Sequence, residues 1–392
     1  MERRQILNWL RETDEQRLAE LWRQADDVRR AHVGDDVHLR GLIEISNNCV
    51  RLCGYCGLRA RNTTLSRYRM TADEILACAR QAVAFGYGTV VLQSGEDPHI
   101  TQAWVVELIH RIQAETALAV TLSLGERSID ELAAWRAAGA DRYLLRFETS
   151  NPALYEQIHP GRPGAPDRFM LLAALRRLGY EVGSGVMIGI PGQTYVDLAN
   201  DLELFEGLDL DMIGVGPFLP HPQTPLGAET SPEDQPSRGA EEADGEARAV
   251  HHDGAELDPA RARAADLRDG QVPNSELMTY KVVALARLLC PRANIPSTTA
   301  LATLNRDNGR ELGLQRGANI VMPNLTPPEY RIQYEIYPGK ACLHETAELC
   351  HGCITQRITA LGRVVGTGRG DSPNWSARAP TPDENGTGFY NE

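Results

Sequence analysis

The sequence lacks a long apolar segment. No stretch of about 18 consecutive apolar residues, the length that a membrane-spanning helix needs, occurs among the 392 residues. The N-terminal stretch MERRQILNWLRETDEQRLAELW is charged and amphipathic, without the apolar core of a secretory leader. We therefore expect a cytoplasmic protein with no membrane-embedded part.

The sequence also lacks an excess of positive charge. Lys and Arg number 40 against 53 Asp and Glu, which gives a net charge of −13. Because an acidic protein repels phosphate backbones, we expect no nucleic-acid partner. The content of 42% hydrophobic and 24% charged residues is typical of a globular protein that can enclose a cofactor.

Residues 227–275 lack aromatic side chains altogether and contain few aliphatic ones. So little apolar surface cannot offset the entropy lost on ordering, and the segment is predicted to be a disordered insertion. Its twelve acidic and five basic residues carry about half of the chain's net negative charge. Residues 361–392 form the predicted C-terminal tail, and its stretch 370–392 is predicted to be disordered for the same reason, with Trp375 and Tyr390 as candidate docking residues.

Elsewhere, short β-branched runs alternate with segments of helical periodicity, which indicates a parallel sheet with crossover helices. After an N-terminal helical extension at 1–38, this pattern fills residues 39–360. It predicts strands at 39–46, 88–95, 118–125, 141–148, 181–190, 210–218, 293–300 and 318–324. Eight such repeats favour an α/β fold of the (β/α)8 TIM-barrel type, with an open doubly wound sheet as the alternative.

Six of the eight cysteines form two tight groups, which indicates metal ligands rather than disulfides. The first group, Cys49, Cys53 and Cys56, has the spacing C-x3-C-x2-C directly after the first predicted strand. Three thiolates hold three corners of a 4Fe-4S cluster and leave the fourth iron open to a substrate. A zinc knuckle or three unconnected thiols is the alternative, but no second ligand pair follows at zinc-finger spacing.

This loop, with Tyr55 just before its last cysteine, resembles the cluster-binding loop of the radical S-adenosylmethionine (SAM) superfamily. The resemblance implies that the open iron chelates SAM and that an electron cleaves the sulfonium to a 5′-deoxyadenosyl radical. It also implies SAM contacts near the strand ends, at Tyr55, Ser94, Gly95, Glu96, Ser123, Glu148, Arg168 and Ile190.

Each implied contact suits one part of SAM. The turn at 94–96 resembles the superfamily's Gly-Gly-Glu turn for the methionine amine, with Ser in place of the first Gly. Glu148 suits the ribose hydroxyls or the ammonium, and Arg168 can form a forked pair with the carboxylate. Ser123 suits the methionine end, and Ile190 belongs to a loop for packing against adenine. A helix cap, a surface charge or a plain turn is the alternative at each position.

Further segments narrow the resemblance to the HydE family of iron–iron hydrogenase maturases. They include VVLQSGEDP, GADRYLLRFETSNP, GYEVGSGVMIGIPGQT, NIPSTTALATL and YEIYPGKAC, and only residues 227–275 and the two ends fall outside the resemblance. It implies a part in assembling the diiron subcluster of the hydrogenase H-cluster. The implied substrate is a small iron complex with cysteine, carbonyl and cyanide ligands, handled by a monomer in transient contact with the other maturases.

An anionic organometallic substrate needs cationic and hydroxyl contacts inside the barrel. Under the resemblance these are Arg142, Arg146, Thr298, Thr299 and Tyr337, with Met212 as an apolar wall. For the two arginines, an ion pair between neighbouring strands is the alternative. The family is expected to read Arg-His-Glu on the fourth strand, whereas this chain has Phe147 at the middle position.

The second cysteine group, Cys342, Cys350 and Cys353, corresponds to an accessory cluster found in some HydE proteins. Three thiolates suit a 2Fe-2S or 4Fe-4S cluster, while His344 or His351 would instead complete a zinc site.

Other functions stay open from the sequence. Biotin synthase-like and methylornithine synthase-like enzymes share the barrel and the first cysteine loop but act on carbon skeletons. A non-radical SAM enzyme needs no cluster, and an iron–sulfur carrier or electron-transfer module needs no SAM contacts beside an open iron.

Overall fold

The computed structural model describes residues 1–161, 167–229 and 270–378. Most of the predicted insertion and the end of the predicted tail lie outside these residues. Within the described ranges, every helix is too short or too polar to cross a lipid bilayer.

A curled parallel sheet forms the centre of the fold. Strands β1 to β10 span Asp36–Ser46, Thr89–Ser94, Ala119–Ser123, Arg142–Leu144, Glu181–Ser184, Met187–Ile188, Met212–Ile213, Gly216–Pro217, Ile320–Val321 and Val364–Gly366. The order is β10-β1-β2-β3-β4-β5-β7, with β9 also paired to β1 and a separate β6–β8 ladder. Single bridges carry the pairing from Met212 to Asn294 and from Pro296 to Ile320. The strand order therefore returns to β1, as in the predicted TIM-type barrel.

The strand predicted at 293–300 is wrong as an element. Only the bridges at Asn294 and Pro296 remain of it, and a helix begins at Thr299. Pro296 has no N–H to donate to a neighbour, so a ladder cannot extend through it. The segment still brings Thr298 and Thr299 to the mouth of the barrel.

Helices cover the outside of the sheet. Helices α1 to α15 span Arg3–Arg11, Glu15–Val33, Ala72–Ala84, Gln102–Glu115, Ile129–Ala137, Pro152–Ile158, Arg168–Arg177, Tyr195–Gly207, Pro225–Glu229, Glu276–Leu289, Thr299–Leu304, Gly309–Gln315, Pro328–Arg331, Ala347–Ala360 and Pro373–Ser376. Thr71 and Ser128 form capping boxes with Glu74 and Glu131, so α3 and α5 begin where their sequences predict.

The predicted C-terminal boundary of the insertion, at residue 275, is wrong. Val272 is buried, and Asn274 Nδ2 donates to the Phe218 carbonyl at 3.0 Å. Ser275 caps α10 through its side chain. These contacts are long-range, so the polar composition of the segment does not reveal them.

Residues 361–378 are folded, so the prediction of disorder is wrong for residues 370–378. Strand β10 pairs with the start of β1, and the residues after it cross the N-terminal end of the barrel. There Asp371 forms an ion pair with the buried Arg142, and Ser372 N donates to Glu181 Oε1 at 3.1 Å. Buried polar partners inside the barrel hold this polar segment in place.

Candidate active site

One cavity of about 370 Å³ opens where the barrel strands end at their carboxyl sides. This is the face at which TIM-barrel enzymes bind their substrates, and the volume suits a small molecule. The predicted cluster ligands and most of the predicted SAM and substrate contacts line it.

Cys49, Cys53 and Cys56 line this cavity together as free thiols. Burial raises the pKa of Cys53 to about 12 and also raises the pKa values of Cys49 and Cys56. Since buried thiols ionise poorly, a bound cationic centre is needed to hold them as thiolates. Among the described residues these are the three cysteines that line the cavity, and a set of three thiols fits an iron–sulfur cluster with one open iron.

Glycine lets the neighbouring segments approach the cysteine loop. A Cβ atom on Gly57 would lie 2.2 Å from the Glu335 carbonyl oxygen and 2.6 Å from His221 Nε2. Gly95, in the turn after β2, touches the loop on another side. Only residues without a side chain fit at both places.

The turn at 94–96 follows β2 and lines the cavity, as the resemblance implies. Glu96 Oε1 accepts the Glu126 backbone N–H at 3.1 Å, and Arg51 Nε lies 3.8 Å from Glu96 Oε2. Burial raises the pKa of Glu96. An ammonium group of a ligand would stabilise the ionised carboxylate here.

Glu126 joins two arginines beside the cavity. Arg168 Nε donates to Glu126 Oε1 at 2.9 Å, and Arg51 Nη1 lies 3.3 Å from Glu126 Oε2. Both arginines line the cavity, where guanidinium N–H groups can donate to a ligand. This arrangement suits the carboxylate of a bound amino acid.

Glu148 has a φ of 65°, a left-handed conformation that is uncommon outside glycine. Its Oε2 lies 2.8 Å from Arg146 Nη2, and its Oε1 accepts from the Tyr55 hydroxyl at 3.4 Å. A backbone bridge to Val186 fixes the residue further. Strain that is held by several contacts in this way is typical of binding sites.

The two remaining predicted SAM contacts differ in outcome. Ser123 ends β3 and lines the cavity. Ile190 is not among the residues that line the cavity, and its role as an adenine contact stays a prediction. Its side chain is drawn into a buried apolar cluster with Ile158 and Phe218, against which Tyr55 packs. Ile190 therefore supports Tyr55 from behind.

Five of the predicted substrate contacts line the same cavity, namely Arg146, Met212, Thr298, Thr299 and Tyr337. The Thr298 hydroxyl is buried and has no hydrogen-bond partner among the residues that the structure describes. The Arg146 side chain is 33% exposed, which leaves part of its guanidinium free for a ligand. A free buried hydroxyl in a cavity with a guanidinium is an incomplete polar site that an anion can complete.

Arg142 does not line the cavity, so its prediction as a substrate contact is wrong. Its Nε donates to Glu181 Oε2 at 2.5 Å, and its guanidinium pairs with Asp371 at the N-terminal end of the barrel. Four residues of extended chain, at about 3.3 Å each, separate it from Arg146 by about 13 Å. Arg142 therefore matches the alternative named in the sequence analysis, an ion pair between neighbouring strands.

Phe147 points away from the cavity. Its ring packs on Phe169 and Phe205, with centroids 5.3 and 5.9 Å apart, in the layer between the sheet and the helices. Successive side chains of an extended chain face opposite sides, so Arg146 and Glu148 face inward. The departure from the expected His therefore leaves the cavity wall unchanged.

The sequence analysis missed several charged residues of the cavity. Lys340 forms a buried ion pair with Glu44, and both line the cavity together with Arg40 and Arg51. Glu44 is the one charge in the apolar run LIEIS. A charge inside an otherwise apolar strand could have indicated an interior polar contact.

The second cysteine group lies near the start of α14. A hydrogen bond with Cys350 lowers the pKa of Cys342, and Arg310 Nη1 lies 3.6 Å from Cys342 Sγ. Cys353 lies one turn beyond Cys350 and accepts from Arg357 Nε at 3.3 Å.

His344 and His351, the two histidines that would complete a zinc site, make no hydrogen bond to the three thiols among the contacts of the described residues. The ring of His351 stacks on Phe85, with centroids 4.6 Å apart, and its Nδ1 lies 3.0 Å from the Tyr87 hydroxyl. His344 is exposed. The surroundings of these two histidines therefore do not favour zinc over an iron–sulfur cluster at the cysteines.

Solved structures support the barrel assignment. The crystal structure of methylornithine synthase (PylB) covers 93% of this chain and 94% of its own, with a TM-score of 0.71 and 23% identity. That of HydG, a maturase of the FeFe hydrogenase, covers 94% and 74%, with a TM-score of 0.69 and 16% identity. At these identities the likeness shows the fold.

Sequence comparison identifies the family. Residues 43–205 match the model of the radical SAM superfamily. The FeFe hydrogenase maturase subunit HydE of Thermotoga maritima is 43% identical over 346 residues, which covers 88% of this chain and 86% of HydE. The 3-methylornithine synthase of Methanosarcina acetivorans is 26% identical over 81% of this chain and 78% of its own. The chain therefore belongs to the radical SAM superfamily and, within it, to the HydE family of FeFe hydrogenase maturases.

Proposed function

We propose that this chain reductively cleaves SAM and acts in assembly of the diiron subcluster of FeFe hydrogenase. The observation that carries the proposal is the convergence of Cys49, Cys53 and Cys56 with acidic, basic and hydroxyl groups around one cavity at the C-terminal ends of the barrel strands. The 43% identity to HydE supports the place of this chemistry in hydrogenase maturation.

The residues around the cavity divide the recognition of SAM between them. Arg168, held by Glu126, receives the carboxylate, Glu96 receives the ammonium, and Glu148 accepts from the ribose hydroxyls. Cys49, Cys53 and Cys56 would hold a 4Fe-4S cluster, which would supply the one electron that splits SAM into methionine and a 5′-deoxyadenosyl radical.

The substrate is proposed to be a small anionic iron complex with cysteine, carbonyl and cyanide ligands. Five basic and three acidic side chains line the cavity, although the whole chain carries a net charge of −13. Such focused positive charge favours an anion. Arg146 and the free hydroxyl of Thr298 supply the polar contacts, and Met212 supplies an apolar wall.

The test uses anaerobically reconstituted protein with dithionite and SAM. We expect 5′-deoxyadenosine from the wild type and none from a Cys49→Ala, Cys53→Ala, Cys56→Ala variant. Addition of the wild type to the other maturases and apo-hydrogenase should then restore hydrogen evolution. Formation of 5′-deoxyadenosine without hydrogenase activation would retain the SAM chemistry and contradict the role in maturation.

We also propose that Cys342, Cys350 and Cys353 hold an accessory iron–sulfur cluster of the 2Fe-2S or 4Fe-4S type. The thiol contact between Cys342 and Cys350, and the arginines beside the sulfurs, support a site for an anionic cluster. A triple Ser variant should contain less iron and sulfide but make as much 5′-deoxyadenosine as the wild type. Unchanged iron content, or zinc in its place, would contradict this site.

The cellular setting is proposed to be the cytoplasm, where the eight cysteines, free in this structure, remain reduced. We propose a monomer that contacts the other maturases transiently. Light scattering on the purified protein and cross-linking with each maturase would test these two points.

A further inference from the structure

His159 lies directly after α6, and its side chain is almost fully buried, at 2% exposure for the residue. It lines the cavity beside Tyr55, with the two rings edge to face and their centroids 5.4 Å apart. On its other side it packs against Tyr155 at 4.7 Å. Nothing in the chemistry of SAM cleavage described above uses this imidazole.

A chain of hydrogen bonds fixes the state of this ring. The Tyr55 hydroxyl lies 3.1 Å from His159 Nε2 and 3.4 Å from Glu148 Oε1. Tyr55 donates its single phenol proton to Glu148 Oε1, whose carboxylate is also paired with Arg146. His159 Nε2 must then carry a proton and donate it to the Tyr55 oxygen. Nδ1 is left as a bare acceptor.

Nδ1 of His159 is buried and has no hydrogen-bond partner among the described residues. Burial and the nearby guanidinium groups of Arg168, Arg51 and Arg146 lower the pKa of His159 well below its usual value, which keeps the ring neutral. A neutral acceptor cannot bind a carboxylate, and the three guanidinium groups disfavour a second cation such as the ammonium of SAM. The groups of SAM that remain as donors are the exocyclic amine and the ribose hydroxyls.

We propose that His159 is a SAM-binding residue whose Nδ1 accepts a hydrogen bond from the nucleoside half of SAM, while its Nε2 orients Tyr55 on Glu148. A buried acceptor without a partner is costly, so binding of the donor completes the site. This inference rests on the proposed function, since SAM must be the ligand of the cavity.

Two isosteric variants separate the two nitrogens. In His159→Asn the side-chain oxygen can replace Nδ1 but nothing reaches Tyr55, whereas in His159→Gln the amide can replace Nε2 and the Nδ1 acceptor is lost. Equilibrium dialysis of SAM with reconstituted protein should show a Kd about five- to tenfold higher for His159→Gln, and a smaller rise for His159→Asn. Equal Kd values for wild type and His159→Gln would overturn the proposal.

SAM analogues test the same contact by removing the donor from the ligand. One analogue lacks the exocyclic amine, and two others lack the 2′- or the 3′-hydroxyl. The penalty of the analogue that lacks the bonded donor should disappear in His159→Gln, as a double-mutant cycle requires. Identical penalties in both proteins for all three analogues would overturn the inference. If the wild type makes no 5′-deoxyadenosine from SAM, the proposed function itself fails instead.

Discussion

A Cβ atom added to Gly95 would lie 2.7 Å from the Cβ atom of Cys49. The same atom would lie 2.4 Å from the carbonyl oxygen of Asn48, so the turn after β2 and the cysteine loop touch backbone to backbone. Neither segment can yield by rotating a side chain. The position of Cys49, the first proposed cluster ligand, is therefore tied to that of the turn proposed to receive SAM.

Replacing Gly95 by Ala should displace the cysteine loop and lower both the iron bound at the first site and the yield of 5′-deoxyadenosine. The physical reason is the backbone overlap at this one atom. Iron and sulfide per chain, measured after reconstitution, check the prediction. Gly207→Ala is the control, because a Cβ there meets nothing within 4 Å. Full cluster content in Gly95→Ala would show that the contact is not needed.

Glu126→Gln should destabilise the protein by about 3 kcal/mol and raise the KM for SAM, because two buried guanidinium groups lose their shared carboxylate. The Glu126 side chain is only 3% exposed, so water cannot replace it. Urea unfolding and SAM titration measure the two effects. Glu203→Gln, which breaks the exposed pair with Arg3, is the matched control and should change neither. A wild-type KM for SAM in Glu126→Gln would show that Glu126 does not support SAM binding.

Arg142→Met should mainly lower stability, whereas Arg146→Met should mainly lower hydrogenase activation. Loss of Arg142 removes the nearest cationic partner of the buried Glu181 and one of the two partners of Asp371, which should cost about 3 kcal/mol of stability without changing 5′-deoxyadenosine formed per cluster. Loss of Arg146, whose side chain is one-third exposed, should cost less stability but lower hydrogenase activation several-fold, because this guanidinium lines the cavity proposed to hold the substrate. Urea midpoints and the maturation assay distinguish the two. The reverse pattern would contradict the assignment.

Asp201 predicts a pH dependence of stability that is independent of the site chemistry. Burial raises the pKa of Asp201 to about 7. The folded state therefore binds this proton more tightly than the unfolded state, and the stability so gained is lost as the pH rises from about 4 through about 7. Asp201→Asn should raise the thermal midpoint at pH 8 and have less effect at pH 5. The exposed Asp130→Asn should show no such difference.

The sequence predicts the inward and outward faces of the strands, but not the height of a residue in the barrel. A period of two places Phe147 outside and Glu148 inside. The same period places Arg142 and Arg146 on one face. Arg142 forms a structural ion pair and Arg146 lines the cavity because they lie at different positions along the barrel axis, which the period does not reveal. Candidate ligands on short loops, such as the three cysteines, can be predicted because their spacing is local.

Contacts between distant segments account for most of what sequence reasoning missed. Asp371 is polar and lies in a Gly- and Ser-rich stretch, yet it is held by Arg142 across the end of the barrel. Lys340 meets Glu44 although 296 residues separate them. His159 gains its significance only from the Tyr55 hydroxyl beside it. No local pattern predicts such pairs.

The most direct test of the central claim is the EPR spectrum of the reduced, reconstituted protein before and after addition of SAM. The Cys342, Cys350 and Cys353 to Ser variant should be used so that one cluster contributes. If Cys49, Cys53 and Cys56 leave one iron open, SAM binds that iron and the signal must change. An identical spectrum with saturating SAM, or zinc in place of iron, would contradict the account.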